Sequence, residues 1–188
     1  MIPQCADLNR IAWMHLENFE REMTKGGNEL YIIAGPYGTG GESERGFFEY
    51  IPITPTTNSA DSSNPDSDTK LKINVPSHSW KIILQLPGGE DDISRITEDT
   101  TVLAVFIPNV QGCHKNGDWQ QYVTTVDFIE EMTGYDFFSE LPEDIENVIE
   151  AKKFLFNDTE NENPDESEND NHLGTGSEKK TEESTPGN

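Results

Sequence analysis

The 188-residue sequence predicts an α+β domain, because its strands and helices follow one another without a regular strand–helix–strand alternation. The apolar runs 79–86 and 101–107 are each bounded by proline or glycine signals and are the clearest predicted strands. An amphipathic helix is predicted before them at 7–24, and two further helices follow at 125–133 and 142–154. The length suits one domain with a hydrophobic core and is too short for two domains of ordinary size.

The first predicted helix carries signals for its start, its end and its buried face. Asp7 is a suitable N-cap residue, and Gly26 with Gly27 forms a suitable stop. Apolar side chains that recur at three- and four-residue steps are predicted to face the core: Leu8, Ala12, Leu16, Phe19 and Met23. A second row, at steps of four, is predicted to stack along one face of the helix: Asn9, Trp13, Glu17 and Arg21.

The remaining elements are predicted from short runs and from turn residues. The apolar run 29–34 predicts a buried strand that ends in a turn at 35–36. Residues 46–54 predict another strand. Gly134 is a suitable stop for the second helix, and Pro142 suits the first turn of the last one.

Two stretches are predicted to lie outside the packed domain, which is assigned to residues 1–156. Residues 157–188 are mostly acidic and small polar side chains, with Leu173 as their one large aliphatic residue. Such a segment buries too little apolar surface to offset the entropy of ordering it, so it is predicted to be a disordered acidic tail. Residues 54–69 are mostly Pro, Thr, Asn, Ser and Asp without periodicity, and they form the centre of a predicted flexible insertion over about 41–72.

The charge of the chain limits how it could bind nucleic acid. The formal net charge is −23, and the predicted tail holds only ten Asp and Glu residues against two lysines. Most of the negative charge therefore lies on the predicted domain. Binding to nucleic acid without sequence preference depends mainly on Lys and Arg side chains that displace counterions. Any nucleic-acid chemistry here needs a cation or a local basic patch.

The cysteine content argues against a disulfide-stabilised or zinc-binding protein, and the hydropathy pattern argues against a membrane-spanning helix. Cys5 and Cys113 are the only cysteines and lie far apart, so they form neither a disulfide framework nor a zinc motif. A single bridge between them and two free thiols are both compatible with the sequence. The chain contains no apolar run of the length that a membrane-spanning helix needs.

The row that contains Asn9, Glu17 and Arg21 is the strongest candidate for a functional site. An amide oxygen and a carboxylate on one helix face offer the hard oxygen ligands that Mg²⁺ prefers, and this ion typically takes only one or two protein ligands. Arg21 could pair with a phosphate oxygen or hold Glu17 in place. On spacing alone, a solvated helix face with an ion pair between Glu17 and Arg21 is the simpler explanation.

Several segments, taken in order, carry a resemblance to a known family. Met-Ile-Pro-Gln at 1–4, Asp-Leu-Asn-Arg at 7–10, Trp13, Leu-Glu at 16–17 and Arg21 resemble the metal-binding helix of the DNA/RNA non-specific endonucleases. The resemblance continues through four further blocks: 29–36, 75–76 with 80–82, 104–109 and 133–137. It covers roughly residues 1–38 and 73–154.

The resemblance implies a fold, an activity and roles for three residues. The fold is of the ββα-metal endonuclease type, with an antiparallel sheet packed on helices. The activity is magnesium-dependent hydrolysis of phosphodiester bonds in DNA and RNA with little sequence preference. Asn9 is similar to the direct ligand of Mg²⁺ or another divalent cation, Glu17 to a carboxylate that holds metal-bound water, and Arg21 to an arginine on the phosphate side. The substrates would be DNA and RNA, no membrane partner is implied, and the full-length family pattern implies a secreted or periplasmic protein.

The resemblance also implies a catalytic group that this sequence lacks. The general base of the family is a histidine in an Asp-Arg-Gly-His motif upstream of the Pro-Gln segment. None of the four histidines has that context: His15, His78, His114 and His172. His15 is predicted instead to pack on the apolar side of the first helix. We therefore expect the C-terminal portion of an endonuclease domain, without its N-terminal part and incomplete as an enzyme.

Two alternatives to an incomplete enzyme stay open. The chain could be an inactive remnant that keeps a metal-binding or partner-binding role. It could also be half of a split nuclease that needs a complementing N-terminal half on another chain. Both alternatives predict that the chain alone does not cleave nucleic acid, whereas a complete enzyme would cleave it.

Overall fold

The computed structural model describes residues 2–53 and 71–156. The chain divides into a compact unit, Met1–Leu155, and a second unit, Phe156–Asn188. The first unit combines antiparallel sheets with several helices, so the predicted α+β class is confirmed. Among the described helices, none has the length and apolar character that crossing a membrane requires. The predicted acidic tail at 157–188 lies outside the described residues and stays a prediction.

The described elements follow one another in a mixed order. The strands are β1 (Asn28–Tyr37), β2 (Gly41–Ser43), β3 (Gly46–Phe48), β4 (Tyr50–Pro52), β5 (Lys72–Asn74), β6 (His78–Pro87), β7 (Thr101–Pro108) and β8 (Val123–Thr124). The helices are α1 (Trp13–Met23), α2 (Asp92–Arg95), α3 (Val126–Thr133) and α4 (Glu143–Ala151). A π-helical turn, Leu8–Ala12, leads into α1, and a 3₁₀ turn, Asp118–Tyr122, precedes β8.

The centre of the domain is a four-stranded antiparallel sheet with the strand order β1-β6-β7-β8. β1 pairs with β6 along its whole length, from Asn28 opposite Pro87 to Tyr37 opposite His78. β6 also pairs with β7, and β7 pairs with the short β8. The two long central strands match the runs predicted at 79–86 and 101–107.

Successive side chains of β6 and β7 point to opposite faces of the sheet, which gives the domain two hydrophobic clusters. One face packs on the first helix, through Ile83, Leu103, Val105 and Ile107 against Leu8, Ala12 and Leu16. The other face packs on the last two helices, through Trp80, Ile82, Leu84, Ala104 and Phe106 against Val126, Ile129 and Ile149. The sheet is therefore covered by α1 on one side and by α3 and α4 on the other.

The start of the first helix differs from the prediction. Asp7 is not an N-cap, because its backbone is already helical, with φ −69° and ψ −38°. Its carboxylate instead accepts a hydrogen bond of 2.7 Å from the backbone N–H of Gly112. The chain then forms the π-helical turn before it adopts regular α-helical geometry at Trp13. The end of the helix agrees with the prediction, since α1 stops at Met23 and two glycines of positive φ follow.

The predicted strand at 29–34 exists, but the prediction that it is buried is wrong. β1 is an edge strand, and Tyr31, Ile32 and Ile33 are 47–48% exposed. The predicted turn at 35–36 is also wrong, because β1 continues through these residues to Tyr37. Gly35 is required there by close packing, since a Cβ atom at this position would lie 2.5 Å from the ring of Trp80.

The region between β1 and β6 contains two small sheets. β2 pairs with β3, and β4 pairs with β5, each in antiparallel register. The single strand predicted at 46–54 is therefore divided into β3 and β4. The described N-terminal part of the insertion predicted over about 41–72 forms β2, β3 and β4. Its centre, 54–70, lies outside the described part of the chain, so the flexibility of that centre stays a prediction.

The last two helices follow their sequence signals closely. The side-chain oxygen of Thr125 caps α3 by accepting a hydrogen bond from the backbone N–H of Phe128. Gly134 ends this helix with a φ angle of 73°. α4 begins directly after Pro142 and ends at Ala151, three residues before the predicted end.

Candidate functional site

The predicted metal ligand Asn9 lies within the π-helical turn at the start of the first helix. Its backbone N–H donates to the carbonyl of Cys5 at 3.0 Å, and its side chain is exposed. No side chain or backbone group of the described residues forms a hydrogen bond with its amide. Single π-helical turns occur frequently at functional sites. The amide oxygen of Asn9 is thus open to a ligand from solvent.

The π-helical turn changes the direction in which Asn9 points relative to the rest of the helix. In a regular α-helix, eight residues leave Asn9 and Glu17 about 80° apart around the axis. A π-helical turn contains one extra residue without extra rotation, so the rotation between Asn9 and Glu17 is smaller by about 100°. At ideal geometry the two side chains would then point in directions that differ by only about 20° around the helix axis. Arg21 follows Glu17 by four residues, an offset of about 40° in the opposite direction, so Arg21 also lies within about 20° of the line of Asn9. The turn therefore places Asn9 on the same face as the other two candidates.

Glu17 and Arg21 line a shallow depression between α1 and the edge strand β1, whose floor includes Leu30 and Ile32. Glu17 is partly buried and Arg21 is exposed. The guanidinium of Arg21 donates to the side-chain oxygen of Asn18 at 2.6 Å. Among the described residues there is no ion pair between Glu17 and Arg21, so that part of the simpler explanation is wrong, whereas the exposure of Asn9 and Arg21 agrees with a solvated helix face.

A buried ion pair beneath this face fixes α1 on the sheet. The ammonium of Lys81, on β6, donates to a carboxylate oxygen of Glu20 at 2.6 Å, and the two side chains are 5% and 11% exposed. The same ammonium lies 4.3 Å from the ring centroid of Trp13, a cation–π contact. Glu20 and Trp13 are on the helix that carries Asn9, Glu17 and Arg21, so this contact sets how that helix lies on β6.

Sequence analysis did not identify the roles of Glu20 and Lys81. Glu20 reads as one more charged residue on an amphipathic helix, and it follows the predicted core residue Phe19. Lys81 did offer a signal, because it interrupts an apolar strand at a position that faces the same way as Ile83. A lysine inside a buried strand requires a partner for its charge.

The side chain of Asn109 holds the segment that leads into the helix. Asn109 is 1% exposed, and its oxygen accepts from the backbone N–H of Cys5 at 2.7 Å. Its amide nitrogen donates to the carbonyls of Pro3 and Pro76, at 3.1 and 2.8 Å. One side chain at the end of β7 thus satisfies three backbone groups and joins the N-terminal segment to the sheet.

Replacing Asn109 with alanine is expected to lower the free energy of unfolding by about 3 kcal/mol, because several buried backbone groups lose their partner together. For a domain of this size the midpoint of thermal unfolding should fall by roughly 6–12 °C. Circular dichroism during heating measures the shift. The matched control is Asn147→Ala, since Asn147 is exposed and donates only to Glu143. Equal midpoints for the two variants would contradict the proposed role of Asn109.

The described histidines contact residues other than the predicted site residues. His15 pairs with Asp118 and its side chain is 44% exposed, so the prediction that it packs on the apolar side of the helix is wrong. His114 lies 3.4 Å from the carboxylate of Asp7. His78 stacks on the ring of Phe106. None of these three residues has a hydrogen bond or ion pair with Asn9, Glu17 or Arg21.

The two cysteines are close together and buried beside the start of the helix. Both are free thiols, and a hydrogen bond between them lowers the pKa of Cys5 to about 7. The same contact, together with burial, raises the pKa of Cys113. Of the two arrangements that the sequence allows, the structure has the free thiols. Cys5 also accepts from the backbone N–H of Leu8 at 3.4 Å, so it forms part of the packing at the helix start.

Comparison with known proteins identifies the family. A family model described as DNA/RNA non-specific endonuclease matches residues 1–144. The chain belongs to this family. It is also 36% identical over 152 residues to a protein named "Nuclease" from Nostoc sp. (strain PCC 7120 / SAG 25.82 / UTEX 2576). That match covers 81% of this chain and 46% of the relative, so the chain spans about half the length of the relative.

Membership of the DNA/RNA non-specific endonucleases confirms the resemblance and the fold class that it implied. The antiparallel sheets and several helices are consistent with the ββα-metal nuclease fold. The family is one of nucleases that use a divalent metal ion and act on nucleic acids. The roles of Asn9, Glu17 and Arg21 within this chain stay predictions.

Proposed function

We propose that this chain provides the metal-binding helix of a magnesium-dependent nuclease that hydrolyses phosphodiester bonds in DNA and RNA without sequence preference. The observation that carries the proposal is the π-helical turn at Leu8–Ala12, because at ideal helical rotation its extra residue would align the exposed Asn9 with Glu17 and Arg21. The family match and the Nostoc relative support the same activity.

The oxygen atoms on this face suit a hard divalent cation. Asn9 offers an amide oxygen and Glu17 a carboxylate, and neither has a hydrogen bond to another described residue. Mg²⁺ retains most of its water ligands and takes few from side chains, so one direct protein ligand is sufficient. When bound, this ion would act as a Lewis acid that stabilises negative charge on the phosphoryl group.

The side chains have distinct roles under this proposal. Asn9 holds the cation, and Glu17 accepts a hydrogen bond from a water molecule and so fixes its orientation. Arg21 donates to a non-bridging phosphate oxygen, which its exposed position on the last turns of α1 allows. Because the chain carries a formal net charge of −23, the cation and Arg21 must supply the local attraction for phosphate.

A general base completes the chemistry, and we propose that it comes from a segment beyond these 188 residues. The sequence contains no Asp-Arg-Gly-His motif, and the described histidines have partners elsewhere. The edge strand β1 supports this view. It exposes Tyr31, Ile32 and Ile33, of which Ile32 also lines the depression beside Glu17 and Arg21. An edge strand with apolar side chains is suited to pairing with a further strand.

The alternative is an inactive remnant or a split-nuclease half that acts as a metal-binding or partner-binding module. It is favoured because no described histidine has a hydrogen bond or ion pair with Asn9, Glu17 or Arg21. These possibilities predict the same behaviour for the isolated chain and differ only when a base is supplied. A direct test therefore has to add the missing group.

The test joins this chain to a segment that bears the Asp-Arg-Gly-His motif from another family member. We expect the chain alone to leave plasmid DNA and RNA intact in Mg²⁺, and the joined protein to degrade both. A chelator should stop the reaction, and replacing the histidine of the motif with alanine should remove it. Cleavage by the purified chain alone would contradict the proposed origin of the base. A folded joined protein without activity would support the remnant.

A further inference from the structure

Three carboxylates of α3 and α4 converge on the side of the sheet opposite to α1. Asp127 and Glu130 are three residues apart on α3 and therefore lie on one side of that helix. Glu150 is near the end of α4. Oxygen atoms of the three side chains all lie within 4.8 Å of one another.

Glu150 is the member of this group that requires an explanation. It is 6% exposed, and its Oε1 atom is buried without a hydrogen-bond partner among the described residues. A buried carboxylate without a partner is strongly unfavourable. The charge also lies at the C-terminal end of α4, where the helix dipole disfavours a negative group and the last turn has no basic residue.

Neighbouring carboxylates make the charged form of Glu150 still less favourable. Burial and, to a smaller extent, the negative charges of Glu130, Glu146, Asp127 and Asp136 together raise the pKa of Glu150 to about 8. All four charged groups that act on it are therefore carboxylates. A cation at the meeting point of the three oxygens would neutralise this concentration of charge.

Glu130 is oriented toward the same point by the backbone. One of its carboxylate oxygens, Oε1, accepts a hydrogen bond of 2.6 Å from the backbone N–H of Phe137. Phe137 is buried and contacts the ring of Trp80, so this link is fixed by the core. The second oxygen of Glu130 stays available to a ligand.

We propose that Asp127, Glu130 and Glu150 form a calcium site that joins α3 to α4. Carboxylate oxygens bind Ca²⁺ at about 2.3–2.6 Å, so oxygens less than about 5 Å apart can share one ion. Ca²⁺ accepts several carboxylates in flexible geometry, whereas Mg²⁺ keeps most of its water and demands a near-ideal octahedron. The exposed position of Asp127 leaves room for water at the remaining ligand positions.

The role of this site is structural, and it does not depend on the proposed nuclease activity. The two helices cover the face of the sheet opposite to the helix that carries Asn9. An ion held by carboxylates of both helices would stabilise that layer of the domain. Its loss should therefore change stability without removing the metal ligand on the first helix.

The test is a thermal unfolding experiment on the full chain after treatment with a chelator. Added Ca²⁺ is expected to raise the unfolding midpoint by at least about 5 °C when its concentration is a hundredfold above the dissociation constant. Mg²⁺ at the same concentration should produce a clearly smaller shift. Isothermal titration calorimetry with CaCl₂ then gives the number of bound ions.

Glu150→Gln keeps the shape of the side chain and removes its charge, so it should abolish the calcium-dependent shift. Without calcium this variant should unfold at the same temperature as the parent chain or at a higher one. Asp127→Asn, at an exposed position, should weaken calcium binding at least tenfold and provides a second variant with little risk to folding. The matched control is Glu146→Gln, which removes a neighbouring carboxylate of α4 that is outside the group and should retain the shift.

The variant Asn9→Ala separates this site from the one on the first helix. It should retain the full calcium-dependent shift if the ion binds between α3 and α4. The proposal is overturned if the parent chain shows no shift, or if Glu150→Gln and Asp127→Asn respond to calcium as the parent does. It is also overturned if Mg²⁺ and Ca²⁺ stabilise the chain equally.

Discussion

Asn9→Ala is expected to lower kcat of the nuclease completed with an Asp-Arg-Gly-His segment by about 10²–10³-fold, the usual loss when a group that stabilises transition-state charge is removed. Asn9 is the one proposed direct ligand from the protein, so alanine leaves the cation held only by water and by indirect contacts. The measurement is single-turnover cleavage of a labelled DNA duplex as a function of magnesium concentration. The variant should require more magnesium and should still fall short of the parent rate when magnesium is saturating.

Glu17 provides a graded comparison on the same face. Glu17→Gln keeps a hydrogen-bonding side chain and should lower kcat about 10–100-fold, as expected for a group that acts through a water molecule near a metal ion. The control is Glu22→Gln on the same helix, whose carboxylate is exposed and pairs with Lys25. This control should retain the parent rate. If Asn9→Ala retained the parent rate and magnesium dependence, the proposed metal site would be wrong.

The variant Arg21→Lys should separate the effect of the positive charge on phosphate binding from the effect of the planar guanidinium donors. Arg21→Lys keeps a positive charge but loses the planar pair of donors that suits a phosphate group. Its effect should therefore appear mainly in KM, with a smaller effect on kcat. The exposed position of Arg21 and its single hydrogen bond to Asn18 leave its other donors available.

The central strands and the last helices could be predicted from sequence because their signals are local. The runs at 79–86 and 101–107 are apolar on both faces, which is typical of strands covered on both sides. Thr125 and Gly134 mark the ends of α3 through hydrogen-bonding and backbone properties of single residues. These local signals act within a few residues of the chain and do not depend on tertiary contacts.

The errors arise where distant contacts decide the structure. Asp7 is a residue type that favours the N-cap position. Its carboxylate instead accepts a hydrogen bond from the backbone N–H of Gly112, more than a hundred residues away in the sequence. The run at 29–34 is apolar whether or not a partner covers it, so sequence alone could not place β1 at an exposed edge. The sequence gives no sign of the π-helical turn either, because its residues are those of an ordinary amphipathic helix.

The site residues Asn9, Glu17 and Arg21 stay a prediction from the family resemblance. Steps of four in a regular helix would let this row drift around the axis. The sequence did not predict the π-helical turn that contains Asn9. The acidic group of α3 and α4 was missed for a related reason: each of its members reads as a solvated carboxylate until the two helices are brought together.

Lys81→Ala is expected to lower the free energy of unfolding by about 3–5 kcal/mol, the usual cost of removing one partner of a buried ion pair. The carboxylate of Glu20 would stay in the interior without the ammonium that now donates to it at 2.6 Å. The ring of Trp13 would also lose its cation–π contact. For a domain of this size the unfolding midpoint should fall by roughly 10 °C.

Two comparisons make this prediction specific to the buried pair. Lys25→Ala removes a lysine whose pair with Glu22 is exposed, and it should cost less than about 1 kcal/mol. Removing both buried charges together, with Lys81→Met and Glu20→Leu, should recover much of the stability, because no unpaired charge is left in the core. If Lys81→Ala were as stable as Lys25→Ala, the pair would not fix α1 on the sheet. Since α1 directly continues the π-helical turn that contains Asn9, Lys81→Ala should also weaken magnesium binding at the proposed site, whereas Lys25→Ala should leave it unchanged.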